Sequence, residues 1–138
     1  MKLKNTSVYL LAGWMLAACS GGGFQKTENG VVVEVKQQQP TDVRKVRLEV
    51  MGEKLIHVSA PPEKEFSKEQ SLIVIPQQNK TDFKVEEQGD EVTVKTSELC
   101  AIVSKTTGEV RFTDADGKQI LAEDSDGRTF TPVEVEGT

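Results

Sequence analysis

From Cys19 onward the apolar residues of this chain are mostly β-branched: sixteen Val and five Ile stand against five Leu and four Ala. Branching at Cβ restricts side-chain rotation in a helix and packs well on a pleated surface, so this balance predicts strands and almost excludes helices. The order of the residues agrees. Val46, Leu48 and Val50 alternate with Arg47, Glu49 and Met51, the period of two expected of a strand with one buried face. Lys54 to Ala60 repeats it, with Ile56, Val58 and Ala60 inward.

Turn residues separate these runs. Phe83 and Val85, then Val92 and Val94, flank Gln88, Gly89 and Asp90, a hairpin connection whose glycine can take a positive φ. Leu99, Ala101 and Val103 alternate with Cys100, Ile102 and Ser104; a run that is apolar on both sides predicts a central strand. Thr107 to Glu109 turns into Val110–Thr113, and Asp114 to Lys118 turns into Gln119–Ala122. Strands at intervals of about ten residues with this punctuation predict an all-β fold, an antiparallel β-sandwich. Phe24 to Gly30 reads as a polar lead-in and Gln37 to Pro40 as a hairpin connection. Pro61 to Ser71, with two prolines and a run of charges, reads as an exposed loop holding one helical turn at Glu63 to Phe66.

The first residues have a different character. Lys2 and Lys4 precede an apolar run from Val8 to Ala18, the layout of a secretory signal and too short to span a bilayer. The run ends in Leu16-Ala17-Ala18-Cys19, which resembles the bacterial lipobox, where small residues precede the cut and the cysteine thiol accepts diacylglycerol. The expected organisation is a signal peptide over 1–18, an acylated Cys19 with a flexible tether over 19–29, and a β-sandwich domain over 30–138. Several acyl chains hold a protein at a membrane stably, so a membrane is the partner expected through Cys19. Ser20 is not the aspartate that commonly retains lipoproteins at the inner membrane, which points to an exported protein on the outer membrane facing the periplasm. Losing Lys2 and Lys4 takes the net charge from −5 to −7. A chain this acidic lacks the basic stripe of a nucleic-acid binder, so nucleic acid is not an expected partner.

Chemistry is scarce in the remainder. His57 is the only histidine, and on a strand facing opposite Ile56 and Val58 it reads as a solvated or cross-strand partner rather than a relay member. Cys100 lies in the most apolar strand, where a thiol behaves as a small hydrophobe. One histidine and one non-lipidated cysteine cannot build a zinc site. Asp114 to Gly117 and Asp124 to Gly127 both read Asp-x-Asp-Gly, but Phe112 and Ala122 occupy the preceding ligand positions of a calcium loop, so both read as turns. Trp14 and Tyr9 leave with the signal, and five phenylalanines at core-like positions such as Phe83 and Phe112 make a poor sugar-stacking platform. No catalytic residue, metal or cofactor is expected within the chain.

Taken together, Gly30 to Val33, Val46 to Ala60, Ser71 to Val74, Thr96 to Val103 and Val110 to Leu121 resemble the N-terminal domain of glycoside hydrolase family 31, which holds α-glucosidases and α-xylosidases. The resemblance runs from about Gly30 to Glu136 and rests on strand signatures, not catalytic motifs. It implies a galactose-mutarotase-like β-sandwich ahead of a (β/α)8 barrel in which two aspartates hydrolyse the substrate with retention of configuration. Neither aspartate is in this chain, and family members often carry arginine where His57 stands. Phe130 to Glu136 reads as the start of a further strand, so the resemblance implies an incomplete sandwich. The implied function is the N-terminal part of an exported, lipid-anchored α-glycosidase, its oligosaccharide substrate bound by a catalytic domain outside the chain. The rival is a stand-alone lipoprotein that binds a partner without chemistry.

Overall fold

The computed structural model describes residues 23–68, 80–124 and 128–135. Nine strands follow one another: β1 (Phe24–Lys26), β2 (Gly30–Glu34), β3 (Lys45–Gly52), β4 (Leu55–Ser59), β5 (Lys84–Gln88), β6 (Glu91–Lys95), β7 (Leu99–Ser104), β8 (Val110–Asp114) and β9 (Gln119–Ala122). They form a four-stranded sheet, β1-β2-β3-β4, and a five-stranded sheet, β5-β6-β7-β8-β9, each antiparallel and each in chain order. Among the described residues there is no helix. The fold is all-β, as the β-branched composition requires, and its two sheets share one core as an incomplete sandwich does.

Alternation sets which residues enter that core. Val31 and Val33 of β2 pair with Leu48 and Val46 of β3, and all four are fully buried. From the other sheet come Val92, Val94, Ala101, Val103 and Val110, and the two sets form a single apolar cluster. Each such Val or Leu contributes on the order of 1.5–3 kcal/mol by leaving water. Val58, Ala60, Phe83 and Phe112 pack at its margin, half-buried, where the pattern puts inward residues near a strand end. β7 lies at the centre of its sheet, as its two apolar faces predict, and Cys100 is buried on the side away from the main core, with Thr113 beside it.

Gly30 marks the tightest approach. A Cβ there would lie 1.9 Å from the Leu48 carbonyl oxygen, so the backbone of β3 occupies the space of any side chain. Gly108, at φ +75°, closes the β7–β8 connection, and a Cβ on it would meet Val43 Cγ1 at 2.4 Å.

The connections fall at two ends. At one end lie residues 27–29, 53–54, 96–98 and 115–118; at the other lie 35–44, 89–90 and 105–109, with Gly23. Each end ties one sheet to the other. The Lys36 amide donates to the Lys105 carbonyl at 2.8 Å, and Thr96 Oγ1 donates to the Glu53 carbonyl at 2.6 Å.

Three expectations give way. Phe24–Lys26 is not a lead-in but pairs with Val31–Val33, because an exposed edge of β2 accepts whatever extended backbone precedes it. The tether assigned to 19–29 is therefore already fixed at Gly23, whose carbonyl accepts the Glu34 amide at 2.7 Å. Glu63–Phe66 forms bends rather than a helical turn, since Phe66 lies under the Arg47 guanidinium at 4.4 Å and Glu65 pairs with Lys45 at 3.4 Å. The start of a strand expected at Phe130–Glu136 is, within 128–135, no strand; Asp42 and Thr129 form an isolated bridge, and Pro132 has no amide to donate. The strand expected at Ser71–Val74 lies outside the described residues, as does most of Asp124 to Gly127.

Candidate functional site

Three polar groupings stand out on the sandwich. On the outer face of the first sheet, His57 Nδ1 lies 3.1 Å from Glu49 Oε2, its directly opposite neighbour across the β3–β4 pair. Arg47 Nε approaches the same oxygen at 3.3 Å and donates to Ser59 Oγ at 3.1 Å. Glu49 is thus shared by two cationic or cationisable partners, and the Arg47 guanidinium also lies over the Phe66 ring. His57 is a cross-strand partner. Its nearest carboxylate is also engaged by arginine, and the Ser59 hydroxyl serves Arg47, so the row has no nucleophile for His57 to activate.

The second grouping sits beside Gly23. Asp90 closes the β5–β6 hairpin and accepts from Ser104 Oγ (2.8 Å), Thr106 Oγ1 (2.8 Å) and the Thr106 amide (3.2 Å). The Thr106 hydroxyl, with Ser104, the Thr106 amide and the nearby Lys36 charge, holds the Asp90 carboxyl below the usual carboxylate range, against the opposing pull of desolvation. The clamp joins two hairpins. Next to it, Lys105 Nζ meets Glu87 Oε1 at 2.5 Å.

The third is Arg111, which forks onto both oxygens of Glu91 at 2.6 and 2.9 Å across the back of β7. Arg128 pairs likewise with Glu123, whose other oxygen accepts the Val110 amide. The Arg111–Glu91 pair is more than a third exposed and the Arg128–Glu123 pair somewhat less, so each contributes at most about 1 kcal/mol. The pairs His57–Glu49, Asp90–Ser104 and Arg111–Glu91 had no linear signature, because strand register brings together residues 8 to 20 apart.

Two open clefts lie on the surface. One, of about 360 Å³, is lined by Glu34, Gln37, Arg44, Lys45, Lys64 and Glu65; the other, of about 540 Å³, by Asp82, Phe83, Lys84, Glu86, Lys95 and Thr96. In the second cleft the Phe83 ring has Lys26 Nζ over it at 5.3 Å, and Thr96 Oγ1 is committed to backbone groups. Among the described residues no group of three or more His, Cys, Asp or Glu side chains could hold a metal ion. Asp114 Oδ1 accepts the amides of Asp116 and Lys118, and Gly117 takes φ +85°, which makes the first Asp-x-Asp-Gly a hairpin turn. Cys19 lies outside the described residues, and among those described no helix is long and apolar enough to cross a membrane.

No family model matches the sequence. Solved structures do resemble it. A GH31 alpha-xylosidase from Xanthomonas citri superposes with a TM-score of 0.70 at 40% identity, over 83% of this chain and 12% of its own. A GH31 alpha-xylosidase from a soil metagenome, solved with xylose, superposes at 0.58 and 23% identity over 83% of this chain and 18% of its own; at that identity the likeness is one of fold. The structures that this sandwich resembles are thus GH31 alpha-xylosidases, and the chain spans 12% and 18% of their lengths.

Proposed function

We propose that this chain is the N-terminal β-sandwich portion of a GH31 α-glycosidase, and more narrowly of an α-xylosidase, whose catalytic barrel lies outside the chain. The observation that carries the reading is the 40% identity maintained over 83% of this chain against 12% of a GH31 alpha-xylosidase. Identity of that order over most of the chain reflects shared packing positions, not only a shared architecture. The groupings described above fit a supporting role: they tie strands and hairpins together, and among the described residues no three His, Cys, Asp or Glu side chains gather to hold a metal. The protein is exported through the 1–18 signal, acylated at Cys19 and held at the periplasmic side of the outer membrane, where its substrate is an α-linked oligosaccharide. The support for export is the order of Lys2 and Lys4, the Val8–Ala18 run and the Leu16–Cys19 box.

The test has two arms. The full chain alone is expected to release no product from chromogenic α-xylosides or α-glucosides, while the product of the reading frame extended beyond Thr138 is expected to hydrolyse α-xylosides. Turnover by the chain itself would place an active site where none is described. A stop codon after Thr138 with no barrel-length sequence downstream would favour a stand-alone lipoprotein module. Separately, Cys19→Ser is expected to abolish lipid labelling and release the protein into the soluble fraction; unchanged labelling sinks the anchor.

A further inference from the structure

The two sheets differ in width. β2 approaches β6, and Lys26 of β1 lies over Phe83 at the start of β5, so β1 to β4 face β5 to β8 in order. β9 has no strand of the first sheet across from it, and its Ile120 and Leu121 are exposed. On that side the sandwich has a short sheet ending at β4 and a long sheet ending at β9.

Its two lateral sides are also guarded differently. On one side, β1 has only three residues and ends in exposed Lys26, and β5 carries exposed Lys84, Glu86 and Glu87. Short strands and edge charges keep a sheet from pairing with other chains. On the other side, β4 and β9 contain no acid, lysine, arginine or proline. The Val50 amide donates to the Asn29 carbonyl, towards β2, so by alternation Arg47 and Glu49 bond to β4 through Ser59 and His57. The amides and carbonyls of Ile56 and Val58 then point away from β3, and among the described residues no backbone group bonds to them. In β9 the Glu123 amide donates to the Val110 carbonyl, which leaves Ala122, beyond the bulge, facing the outer edge.

A single added strand would pair with β4 and leave the edge of β9 open. A second copy satisfies both. Rotation by 180° about an axis parallel to the strands exchanges the two layers, so each layer joins the four strands of one copy to the five of the other. β4 and β9 both start at the end that holds 53–54 and 115–118, so this rotation sets them side by side and parallel. Across the roughly 10 Å between layers, the two Leu121 side chains then face each other.

We infer that two copies of this chain associate through this side as a two-fold dimer, β4 of each beside β9 of the other, with Leu121 meeting the partner's Leu121. The inference does not rest on the function proposed above. Two short strand pairs fall at the small end of specific interfaces, below about 1,200 Å² in total, so the dimer is weak and a dilute unfolding experiment sees the monomer with Leu121 exposed.

The test uses the full chain in a Cys19→Ser, Cys100→Ala background, where an introduced cysteine is the only thiol. Leu121→Cys places it at the two-fold axis, His57→Cys on the outer face of β4, and Gln25→Cys and Glu86→Cys on the guarded side; circular dichroism checks that each variant folds. Treated with a short bismaleimide in the cells that express it, the Leu121→Cys chain is expected to give several-fold more two-chain product than the other three. Val58→Pro removes an outward amide at no cost in internal hydrogen bonds, and added to Leu121→Cys it is expected to lower that product several-fold. Equal yields at all four positions, or none at Leu121→Cys, overturn the dimer. The highest yield at His57→Cys means that β4 pairs with β4 and overturns the reciprocal arrangement. A product of another mass at Leu121→Cys replaces the second copy by a different protein.

Discussion

Leu48 and Leu121 are the same residue type on strands of the same pleat, yet Leu48 is fully buried and Leu121 is 60% exposed. Leu48 points from β3 into the space between the sheets, where Val31 is its cross-strand partner. Leu121 is paired with Phe112 and shares its face, but β9 is an edge strand, and a bulge where it meets β8 interrupts the ladder. Ile120 beside it is 61% exposed. The difference shows that alternation decides which way a side chain points, while the reach of the opposing sheet decides whether it is buried. β2 and β3 face the opposing sheet along most of their length; β9 does not.

Changes can be chosen to break that contrast. The largest effect is expected at Gly30→Ala, where the new Cβ collides with backbone that cannot move without parting β2 from β3; loss of a cooperative melt by circular dichroism is the outcome to look for, and a near wild-type melt would mean that the β2–β3 spacing yields. Leu48→Ala is expected to cost about 3 kcal/mol, the lost transfer of its side chain together with the cavity left behind, measured as a lowered urea midpoint at constant slope. Asp90→Asn is expected to cost about 1 kcal/mol near neutral pH, the low end for hydrogen bonds to a charged acceptor on a partly exposed group.

The sign of the pH effect at Asp90 follows from its lowered pKa. The charged form is favoured by folding, so its contribution is complete above the ordinary carboxylate range and is lost as the pH falls through the lowered value. Unfolding midpoints of the protein and the Asn variant should therefore converge as acidification carries the pH below the ordinary carboxylate range. A gap that stays constant would assign the cost to hydrogen-bond geometry and not to charge. Smallest of all, Leu121→Ala is expected to change stability by less than about 0.5 kcal/mol; a loss comparable to that at Leu48 would mean that β9 is covered in solution.

Most of this architecture was legible because it rests on period-two patterns. Val46, Leu48 and Val50 declare their strand, Leu99 to Val103 its centrality, and Gln88 to Asp90 its hairpin. What was not legible depends on partners far along the chain. Phe24–Lys26 has too few residues to show a period and is a strand only because β2 presents an edge to it. Phe130 to Val135 has the period of a strand, but within 128–135 its ladder goes no further than the bridge of Thr129 to Asp42 and the bond of the Phe130 amide to the Thr41 carbonyl. Glu63–Phe66 carries helix-compatible residues, but Phe66 is taken by Arg47 and Glu65 by Lys45. Asp90 reads as a turn residue in sequence; its role as a clamp comes from Ser104 and Thr106, 14 and 16 residues on, which β7 brings beside it.

The chain order of both sheets has a consequence for how the molecule forms. Every strand pairs with its neighbour in sequence, so no pairing within either sheet waits for a distant segment. Contacts of this kind close quickly, whereas those between the sheets join residues many tens of positions apart. In a chain that emerges with its N-terminus first, β1–β4 can assemble while Val31, Val33, Val46 and Leu48 still have nothing to pack against. Their apolar face stays wet until Val92, Val94, Val103 and Val110 arrive, and it is the most adhesive surface the molecule presents during its assembly. The meander that makes each half fast to pair thus makes the first half wait for the second.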